Sequence, residues 1–353
     1  LAGNVKEWCW NRTGDGKRYL LGGAWNEPAY MFTDADAQSP FDRSTNFGLR
    51  CVKYVVPDAV SKAATDDVAS ITSRAFEKEK PISDEVFRAY RSLYSYDKAP
   101  LNAAAELVDD GNPDWRKEKV SFAAAYGNER VTAYLFLPKK STPPFQTIAF
   151  FPGSGVIALR SSKELQIFDR LDFLIRSGRA VIFPIYKGTY ERGDDLKSDV
   201  PNMTGFYRDH MIMWSKDLGR SIDYVETRPE IDRGKIGYYG FSWGSQVAPA
   251  LIAMESRIQA AVLSVGGLCF QRALPEADMI NFVSRVKIPV LMLNGRYDFF
   301  FPIETSQRPM FHLLGTPKEN KRHIIYESGH SIPRTELIKE TLDWLDRHLG
   351  PVK

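Results

Sequence analysis

The segment that decides the fold is Gly240-Phe241-Ser242-Trp243-Gly244, which follows the apolar run Lys235–Tyr239 and precedes a helical stretch beginning near Ser245. A G-x-S-x-G string alone is weak, because glycine and serine are common residues. Its position between a predicted strand and a predicted helix makes it specific, since a serine on such a tight turn projects above the sheet. The two glycines leave room for the strand and the helix to approach each other. Ser242 is therefore predicted to be a nucleophile.

A nucleophilic serine needs a base that takes its proton and an acid that orients the base. In the fold that carries this turn, the chain order is serine, acid, histidine. Asp298 follows the apolar run Val290–Leu293, and His330 follows the run His323–Tyr326 in a glycine-bearing loop. Each interval leaves room for a strand and a helix. We therefore predict Asp298 as the acid and His330 as the base, all three residues lying at carboxyl ends of strands.

Other residues could fill these two roles. Glu304 and Glu327 lie near Asp298 and His330 and are possible substitutes for the acid. The other four histidines lie at a helix entry, in a helical stretch, at a strand start and in a last helical turn, where a cation is favoured; they are His210, His312, His323 and His348. His330 is preferred because it follows a strand in a glycine-bearing loop.

Backbone amides are expected to stabilise the oxyanion of an acyl-transfer reaction. The first is the N–H of Trp243, directly after the nucleophile. The second should come from the loop after the third strand, Phe150–Gly155, whose glycines allow a close backbone approach. Ser154 N–H is our first choice and Gly153 N–H the second, because the sequence does not fix which amide points inward.

From about residue 116 onward, apolar runs alternate with helical stretches, which favours an α/β fold with a mostly parallel sheet flanked by helices. The predicted strands are Val131–Leu137, Thr147–Phe151, Ala180–Ile185, Lys235–Tyr239, Ala260–Val265, Ile288–Leu293 and His323–Tyr326. The predicted helices are Tyr207–Glu226 and Arg334–His348. Together with the turn at Ser242, this pattern predicts an α/β-hydrolase.

The stretch from about 117 to 350 resembles the dienelactone hydrolase and acetyl-xylan-esterase-like branch of the α/β-hydrolases, notably over Ser221–Asp232. The resemblance carries the nucleophile, acid and base over to Ser242, Asp298 and His330. Two features depart from it. Dienelactone hydrolases proper use a cysteine nucleophile, so their lactone chemistry is not implied. Pro152 also stands where esterases of this branch usually carry histidine.

Residues 1–57 are rich in turn signals and short extended pieces, which predicts a small β-rich fragment. Gly3–Trp8, Leu21–Trp25 and Asn46–Arg50 resemble the C-terminal end of a formylglycine-generating (sulfatase-modifying) enzyme domain. That family places its catalytic cysteines soon after the second of these motifs. This chain has Glu27, Pro28, Tyr30 and Phe32 there and no cysteine, so we expect the oxidative chemistry to be absent.

Residues 58–115 are expected to form a helical linker, with a helix near Ser83–Arg91, and residues 116–353 the hydrolase domain. The combination resembles the C-terminal part of large bacterial proteins that begin with a serine/threonine kinase. That resemblance implies an upstream kinase domain joined to this chain in a longer protein. The sequence itself carries neither a glycine-rich phosphate loop nor the His-Arg-Asp and Asp-Phe-Gly motifs of a kinase.

Composition narrows the expected partners. The chain has 47 basic and 44 acidic residues, a net charge of +3 and no long run of like charges, so nucleic acid is not an expected partner. It has no stretch of about 18 apolar residues that would indicate a membrane span. Cys9, Cys51 and Cys269 lack metal-site spacing and are expected to be buried thiols, with a Cys9–Cys51 disulfide as an alternative. This cysteine content fits a bacterial cytoplasm.

The function predicted from these features is hydrolysis of a small-molecule carboxylic ester through an acyl-enzyme, with no metal and no cofactor. Tyr186, Tyr190, Phe299 and Phe300, together with Trp243, are expected to line a shallow apolar pocket. One alternative is a prolyl-oligopeptidase-like peptidase, although the blade repeats of the propeller that usually accompanies it are not seen. The other is a non-catalytic ligand-sensing module attached to a kinase.

Overall fold

The computed structural model describes residues 3–14, 16–27, 36–56, 60–66, 74–163, 165 and 171–352. The chain divides into two compact units, Leu1–Arg74 and Ala75–Lys353. Pro28, Tyr30 and Phe32, and the predicted border between residues 57 and 58, lie outside the described residues.

The first unit contains a small four-stranded sheet. Its strands are β1 (Lys6–Arg12), β2 (Arg18–Leu21), β3 (Asp36–Gln38) and β4 (Phe47–Gly48), in the order β3-β2-β1-β4. The β1–β4 pair is parallel and the other two pairs are antiparallel. The buried Lys6 ammonium pairs with Asp36 and, at 2.6 Å, with Glu27, so its charge is compensated. The predicted β-rich character is confirmed.

The second unit contains a nine-stranded sheet. Its strands are β5 (Ala104–Asp109), β6 (Trp115–Ala123), β7 (Arg130–Pro138), β8 (Phe145–Phe151), β9 (Ala180–Ile185), β10 (Ile231–Phe241), β11 (Ile258–Ser264), β12 (Val290–Gly295) and β13 (Lys321–Tyr326). The order is β13-β12-β11-β10-β8-β9-β7-β6-β5. Neighbours from β13 to β9 are parallel, whereas β9–β7, β7–β6 and β6–β5 are antiparallel. The predicted α/β-hydrolase architecture with a mostly parallel sheet is confirmed.

Helices cover the sheet. They are α1 (Asp84–Tyr94), α2 (Asp172–Arg176), α3 (Gly205–Glu226), α4 (Trp243–Met254), α5 (Ile280–Val283), α6 (Arg308–Leu313) and α7 (Arg334–Leu349). Short 3₁₀ turns lie at Lys62–Ala64, Phe76–Lys78, Ser154–Ala158, Tyr190–Arg192 and Lys318–Asn320, and a π turn lies at Ile303–Gln307.

The core lies on both faces of the sheet, as Phe150 and Phe151 on β8 illustrate. The Phe151 ring packs 4.9 Å from Trp243 of α4 and 6.4 Å from Trp214 of α3. The Phe150 ring faces the other layer and stacks 5.9 Å from Tyr239 of β10. Every residue of β8 is buried. Apolar strands sandwiched between helices hold the carboxyl ends of the strands in fixed positions.

Strands β5 and β6 were not predicted from the sequence. All six residues of β5 are exposed, because this strand forms the edge of the sheet, so it carries no alternating pattern. It lies in the region where we expected helical structure. In β6, charged residues interrupt the apolar alternation, and even the inward-facing Glu118 is buried. Its carboxylate accepts a 2.6 Å hydrogen bond from Arg228, which offsets the cost of burial.

The cysteines and the helices answer two further expectations. Cys9, Cys51 and Cys269 are free thiols, so the alternative Cys9–Cys51 disulfide is not formed. The expectation of buried thiols is wrong for Cys51, which is exposed, and is met only in part by Cys9 and Cys269, which are partly exposed. Within the described residues, no helix combines the length and apolar character needed to cross a membrane.

His323 on β13 makes the stability of the fold sensitive to pH. Burial, with smaller contributions from Arg308 and His312, lowers the pKa of its imidazole to about 4. The unfolded chain takes up this proton near pH 6.5, so unfolding becomes more favourable as the pH falls from 6.5 towards 4. As the pH falls over this range, the free energy of unfolding should decrease by about 2 kcal/mol more in the wild type than in His323→Leu. Urea titrations at about pH 7.5 and about pH 4.5 measure the difference.

The matched control for this measurement is His312→Leu, because the His312 side chain is largely exposed. Its stability should depend on pH nearly as that of the wild type does, because burial is the main cause of the lowered His323 pKa and His312 makes only the smallest of the three contributions. Equal pH dependence in the wild type and in His323→Leu would contradict the prediction.

Candidate active site

Ser242 occupies a sharp turn between β10 and α4. Its backbone has φ 53° and ψ −108°, a conformation that L-residues rarely adopt. A Cβ atom added at Gly240 would lie 2.6 Å from the carbonyl carbon of Gly244, and one at Gly244 would overlap the carbonyl of Phe151. Both positions therefore require glycine, and the strained turn exposes the serine oxygen at the carboxyl end of the sheet.

Three side chains predicted from the sequence meet at this point. His330 Nε2 lies 2.8 Å from Ser242 Oγ, and His330 Nδ1 lies 2.9 Å from Asp298 Oδ2. His330 is the fourth residue after the end of β13, and Asp298 is the third residue after the end of β12. Residues far apart in sequence are thus joined in one hydrogen-bonded line.

The surroundings of Asp298 favour one state of the histidine ring. The Asp298 side chain is fully buried, and its Oδ1 atom accepts hydrogen bonds from the amides of Phe300 at 3.0 Å and Phe301 at 3.3 Å. Its Oδ2 atom faces His330 Nδ1 and favours a proton there. With Nδ1 protonated, Nε2 is free to accept the hydroxyl proton of Ser242.

The alternative acids contact other groups. Glu327 is exposed, pairs with Arg296 and accepts a 2.8 Å hydrogen bond from Tyr297 Oη. Glu304 is exposed and pairs with Arg308 one turn along the chain. The structure brings Asp298, and neither glutamate, against His330.

Backbone contacts join the acid loop to the base loop. The amide of Arg296 donates to the carbonyl of Tyr326 at 2.7 Å, and the amide of Tyr297 donates to the carbonyl of Ser328 at 2.9 Å. A Cβ atom at Gly295 would overlap the carbonyl of Gly329, so the two loops approach in a way that only glycine allows. This close packing holds the acid and the base in register.

Amides that could receive an oxyanion lie beside Ser242. At the start of α4, Gly244 N donates to Pro152 O at 3.0 Å, while Ser245 N and Gln246 N both donate to Ser242 O at 2.9 Å. Trp243 N is the first amide of the helix and has no acceptor among the described residues. The arrangement leaves this N–H available at the nucleophile.

The loop after β8 lies against the nucleophile turn. A Cβ atom added at Gly153 would lie 3.0 Å from Phe241 Cδ1 and 3.4 Å from Ser242 Cβ. Ser154 begins a 3₁₀ turn for which Gly153 is the N-cap, so amides at this end lack partners within the turn. Both predicted residues therefore lie where an amide could face the serine.

Most of the rings predicted to line a pocket lie in the core instead. Tyr186 and Tyr190 are fully buried, and Tyr186 Oη donates to the carbonyl of Phe150 at 3.2 Å. The Trp243 ring is buried too, 4.8 Å from Trp214. The prediction is wrong for these three rings, because a position at a strand end does not say whether a side chain faces the core or the cleft.

The rings after Asp298 do lie beside the catalytic candidates. Phe300 is exposed, and its ring centroid lies 4.7 Å from that of His330. Phe299 is partly exposed and packs 5.9 Å from Phe300. Phe241 and Phe301 also lie near the imidazole, at 6.1 Å and 5.9 Å. The histidine thus sits among apolar rings on one side of the site.

Two polar contacts were not anticipated from the sequence. His210 on α3 forms a second histidine–carboxylate pair, with its Nε2 atom 2.9 Å from Asp194 Oδ2. Its Nδ1 atom lies 2.9 Å from the carbonyl of Phe206, so both ring nitrogens are occupied. Gln307, which follows the acid loop, bonds to carbonyls of that loop. Neither residue lies in a recognisable motif, so only the folded chain brings out these contacts.

The fold, the turn and the ordered side chains agree with a comparison of sequences. Residues 131–334 match the model of the dienelactone hydrolase family, which is more than half of the chain. The chain belongs to the dienelactone hydrolase family. As a member of this family, it is a hydrolase of the esterase type.

Solved structures with the same fold include two acetyl xylan esterases. The enzyme from Paenibacillus sp. R4 has a TM-score of 0.58 and 18% identity, covering 77% of this chain and 97% of that chain. Acetyl xylan esterase 1 from Thermoanaerobacterium sp. JW/SL YS485 has a TM-score of 0.59 and 16% identity, covering 76% of this chain and 95% of that chain. At such identities the likeness establishes the fold.

A curated relative shares part of the sequence. The uncharacterized peptidase YuxL of Bacillus subtilis (strain 168) is 23% identical over 214 residues, which are 52% of this chain and 32% of YuxL. This chain therefore spans about a third of the length of that relative.

Proposed function

We propose that this family member hydrolyses small-molecule carboxylic esters with Ser242 as nucleophile, His330 as general base and Asp298 as the orienting acid. The observation that carries the proposal is the continuous hydrogen-bonded line from Ser242 Oγ through both ring nitrogens of His330 to the buried carboxylate of Asp298, at 2.8 and 2.9 Å. A serine hydroxyl is weakly nucleophilic without such a base, and a buried charge is costly without a function or a partner.

The reaction proceeds in two halves. Ser242 Oγ attacks the ester carbonyl carbon while its proton moves to His330 Nε2. The tetrahedral intermediate collapses, His330 returns the proton to the leaving alcohol, and the acyl group stays on Ser242. Water then attacks the acyl-enzyme, with His330 as base again, and the carboxylic acid leaves. Throughout, Asp298 stabilises the imidazolium and keeps the Nδ1 proton directed towards itself.

Oxyanion stabilisation falls to two backbone amides. The N–H of Trp243, which has no acceptor in the described part of the chain, is the first donor, and an amide of Ser154 or Gly153 is the second. Such donors cost no reorganisation during the reaction, since the start of α4 and the loop after β8 already hold them.

The packing of the aromatic rings favours short acyl groups. Tyr186, Tyr190 and Trp243 fill the core around the site rather than an open pocket. The likeness to two acetyl xylan esterases agrees with small acyl groups. We expect kcat/KM for nitrophenyl esters to be highest for acetyl and to fall at least about tenfold for acyl chains of octanoyl length. Absorbance assays of nitrophenolate release over a series of acyl lengths measure this. An increase of kcat/KM with chain length would contradict the prediction.

A peptidase is the second candidate, and the similarity to the uncharacterized peptidase YuxL favours it. The same triad can cleave amides, so the reacting groups do not separate the two activities. Aminoacyl nitroanilides tested beside the nitrophenyl esters do separate them. Turnover of a nitroanilide with a kcat/KM above that of the acetyl ester would favour the peptidase.

We also propose a multidomain setting. Residues 1–57 are inferred to be the catalytically empty C-terminal end of a sulfatase-modifying-like domain and residues 116–353 the hydrolase domain, joined in the longer protein to a kinase. The predicted linker, residues 58–115, is shorter than expected, because α1 and β5 belong to the same unit as the hydrolase sheet. Support comes from the motifs in the sequence and from the β-rich first unit. Sequencing the encoding transcript upstream tests it, because the proposal requires a kinase catalytic loop in the same reading frame.

A further inference from the structure

Gln307 bonds to both ends of the loop that carries Asp298. The side chain is fully buried at the C-terminal end of the π turn Ile303–Gln307. Its Nε2 atom donates to the carbonyl of Gly295 at 2.9 Å and to the carbonyl of Phe301 at 2.7 Å. One amide group therefore closes the acid loop from inside the protein.

The contact reaches Asp298 through Phe301. The amide of Phe301 donates to Asp298 Oδ1 at 3.3 Å, while the carbonyl of the same residue accepts from Gln307. Asp298 Oδ2, in turn, lies 2.9 Å from His330 Nδ1. A displacement of Phe301 is therefore transmitted to the hydrogen bond that orients the base.

The chemistry of Gln307 is hard to explain by stability alone. Its Oε1 atom is buried and has no hydrogen-bond partner within the described part of the chain. A buried acceptor without a partner lowers the stability of the fold, so the Oε1 atom of Gln307 is a cost to the folded protein. The wide π turn that presents the side chain belongs to a rare class that is frequent at functional sites. The two hydrogen bonds that its Nε2 atom donates to the acid loop are the contribution that offsets this cost.

We propose that Gln307 is a positioning residue for catalysis, which holds the loop Gly295–Phe301 closed so that the carboxylate of Asp298 stays on His330 Nδ1. It acts through Asp298 and does not touch the substrate. This inference rests on the proposed function.

The first test is Gln307→Met, which keeps the length of the side chain and removes both donors. We expect kcat for the acetyl ester to fall about 10- to 100-fold and KM to stay within about twofold, because orientation and not binding is affected. The rate constant for labelling Ser242 by a fluorophosphonate should fall in proportion, while nearly every molecule is still labelled at the end. The matched control is Ser306→Ala, which removes a neighbouring buried hydroxyl that has no hydrogen-bond partner among the described residues and should keep wild-type kinetics.

The second test is a double-mutant cycle with Asp298→Asn. If Gln307 acts through Asp298, then Gln307→Met should lower kcat by no more than about twofold in the Asp298→Asn background. Should Gln307→Met fail to fold, Gln307→Asn keeps a polar amide but is one methylene shorter, which draws its donor back from both carbonyls, and it carries the same expectations.

Two results overturn the inference. One is a Gln307 variant in which a smaller fraction of the protein is labelled by the fluorophosphonate, while the labelling rate constant of that fraction equals the wild-type value. In that case Gln307 would contribute to folding only. The other is an equal loss of kcat with and without Asp298. A wild-type protein that shows no Ser242-dependent ester turnover overturns the proposed function as well. An active wild type with normal Gln307 variants overturns the inference alone.

Discussion

Ser242→Ala is expected to lower kcat/KM for the acetyl ester by about 10⁵-fold or more. Alanine removes the oxygen that carries the acyl group in the proposed mechanism, whereas the backbone at the start of α4 still presents the amide of Trp243. The remaining activity should therefore come from the oxyanion hole and substrate binding alone. We expect it to be about 10³- to 10⁴-fold faster than the uncatalysed reaction in water. The measurement is steady-state turnover, together with mass spectrometry of the fluorophosphonate adduct on the wild-type peptide that contains Ser242.

The control for this experiment is Ser161→Ala, which removes an exposed hydroxyl and should keep wild-type turnover. Undiminished turnover in Ser242→Ala would sink the assignment of the nucleophile. A wild-type protein that forms no adduct on Ser242 would favour the remaining alternative, a ligand-sensing module with an inert serine.

The part of the fold that the sequence predicts well is the part that surrounds the site. Strands β8, β9, β11 and β12 and the second half of β10 are largely buried, so their apolar runs stand out against polar neighbours. The turn at Ser242 is equally recognisable because sterics dictate its glycines, as the overlap of a Cβ atom at Gly244 with the Phe151 carbonyl illustrates. Once the strands and the turn at Ser242 are recognised, the chain order of serine, acid and histidine at strand ends predicts Asp298 and His330.

What the sequence does not reveal depends on side-chain direction and on distant contacts. Tyr190 and Phe300 are both aromatic residues near strand ends, yet one is buried and the other is exposed beside His330. The edge strand β5 has no buried face, so periodicity cannot mark it. The inferred role of Gln307 depends on hydrogen bonds to the carbonyls of Gly295 and Phe301, which only folding brings close to its amide group.

Asp298→Asn carries the second largest expected effect, a loss of about 10⁴-fold in kcat with KM nearly unchanged. The asparagine side chain is nearly isosteric and can still accept the amides of Phe300 and Phe301 through its oxygen. Its NH₂ group then faces His330 Nδ1 and donates to it, which forces the ring proton onto Nε2. A protonated Nε2 cannot accept the hydroxyl proton of Ser242, so the base is lost while the substrate still binds.

Steady-state kinetics of Asp298→Asn beside Glu327→Gln discriminates between the two possible acids. Glu327 faces solvent against Arg296 and Tyr297, so its neutralisation should change kcat by no more than about twofold. The reverse result, an active Asp298→Asn and a disabled Glu327→Gln, would mean that the loop rearranges in solution and that Glu327 orients the base. Because Asp298 is fully buried whereas Glu327 is exposed, such a rearrangement would have to expose one carboxylate and bury the other. The cost of burying a new charge argues that Asp298 keeps the role.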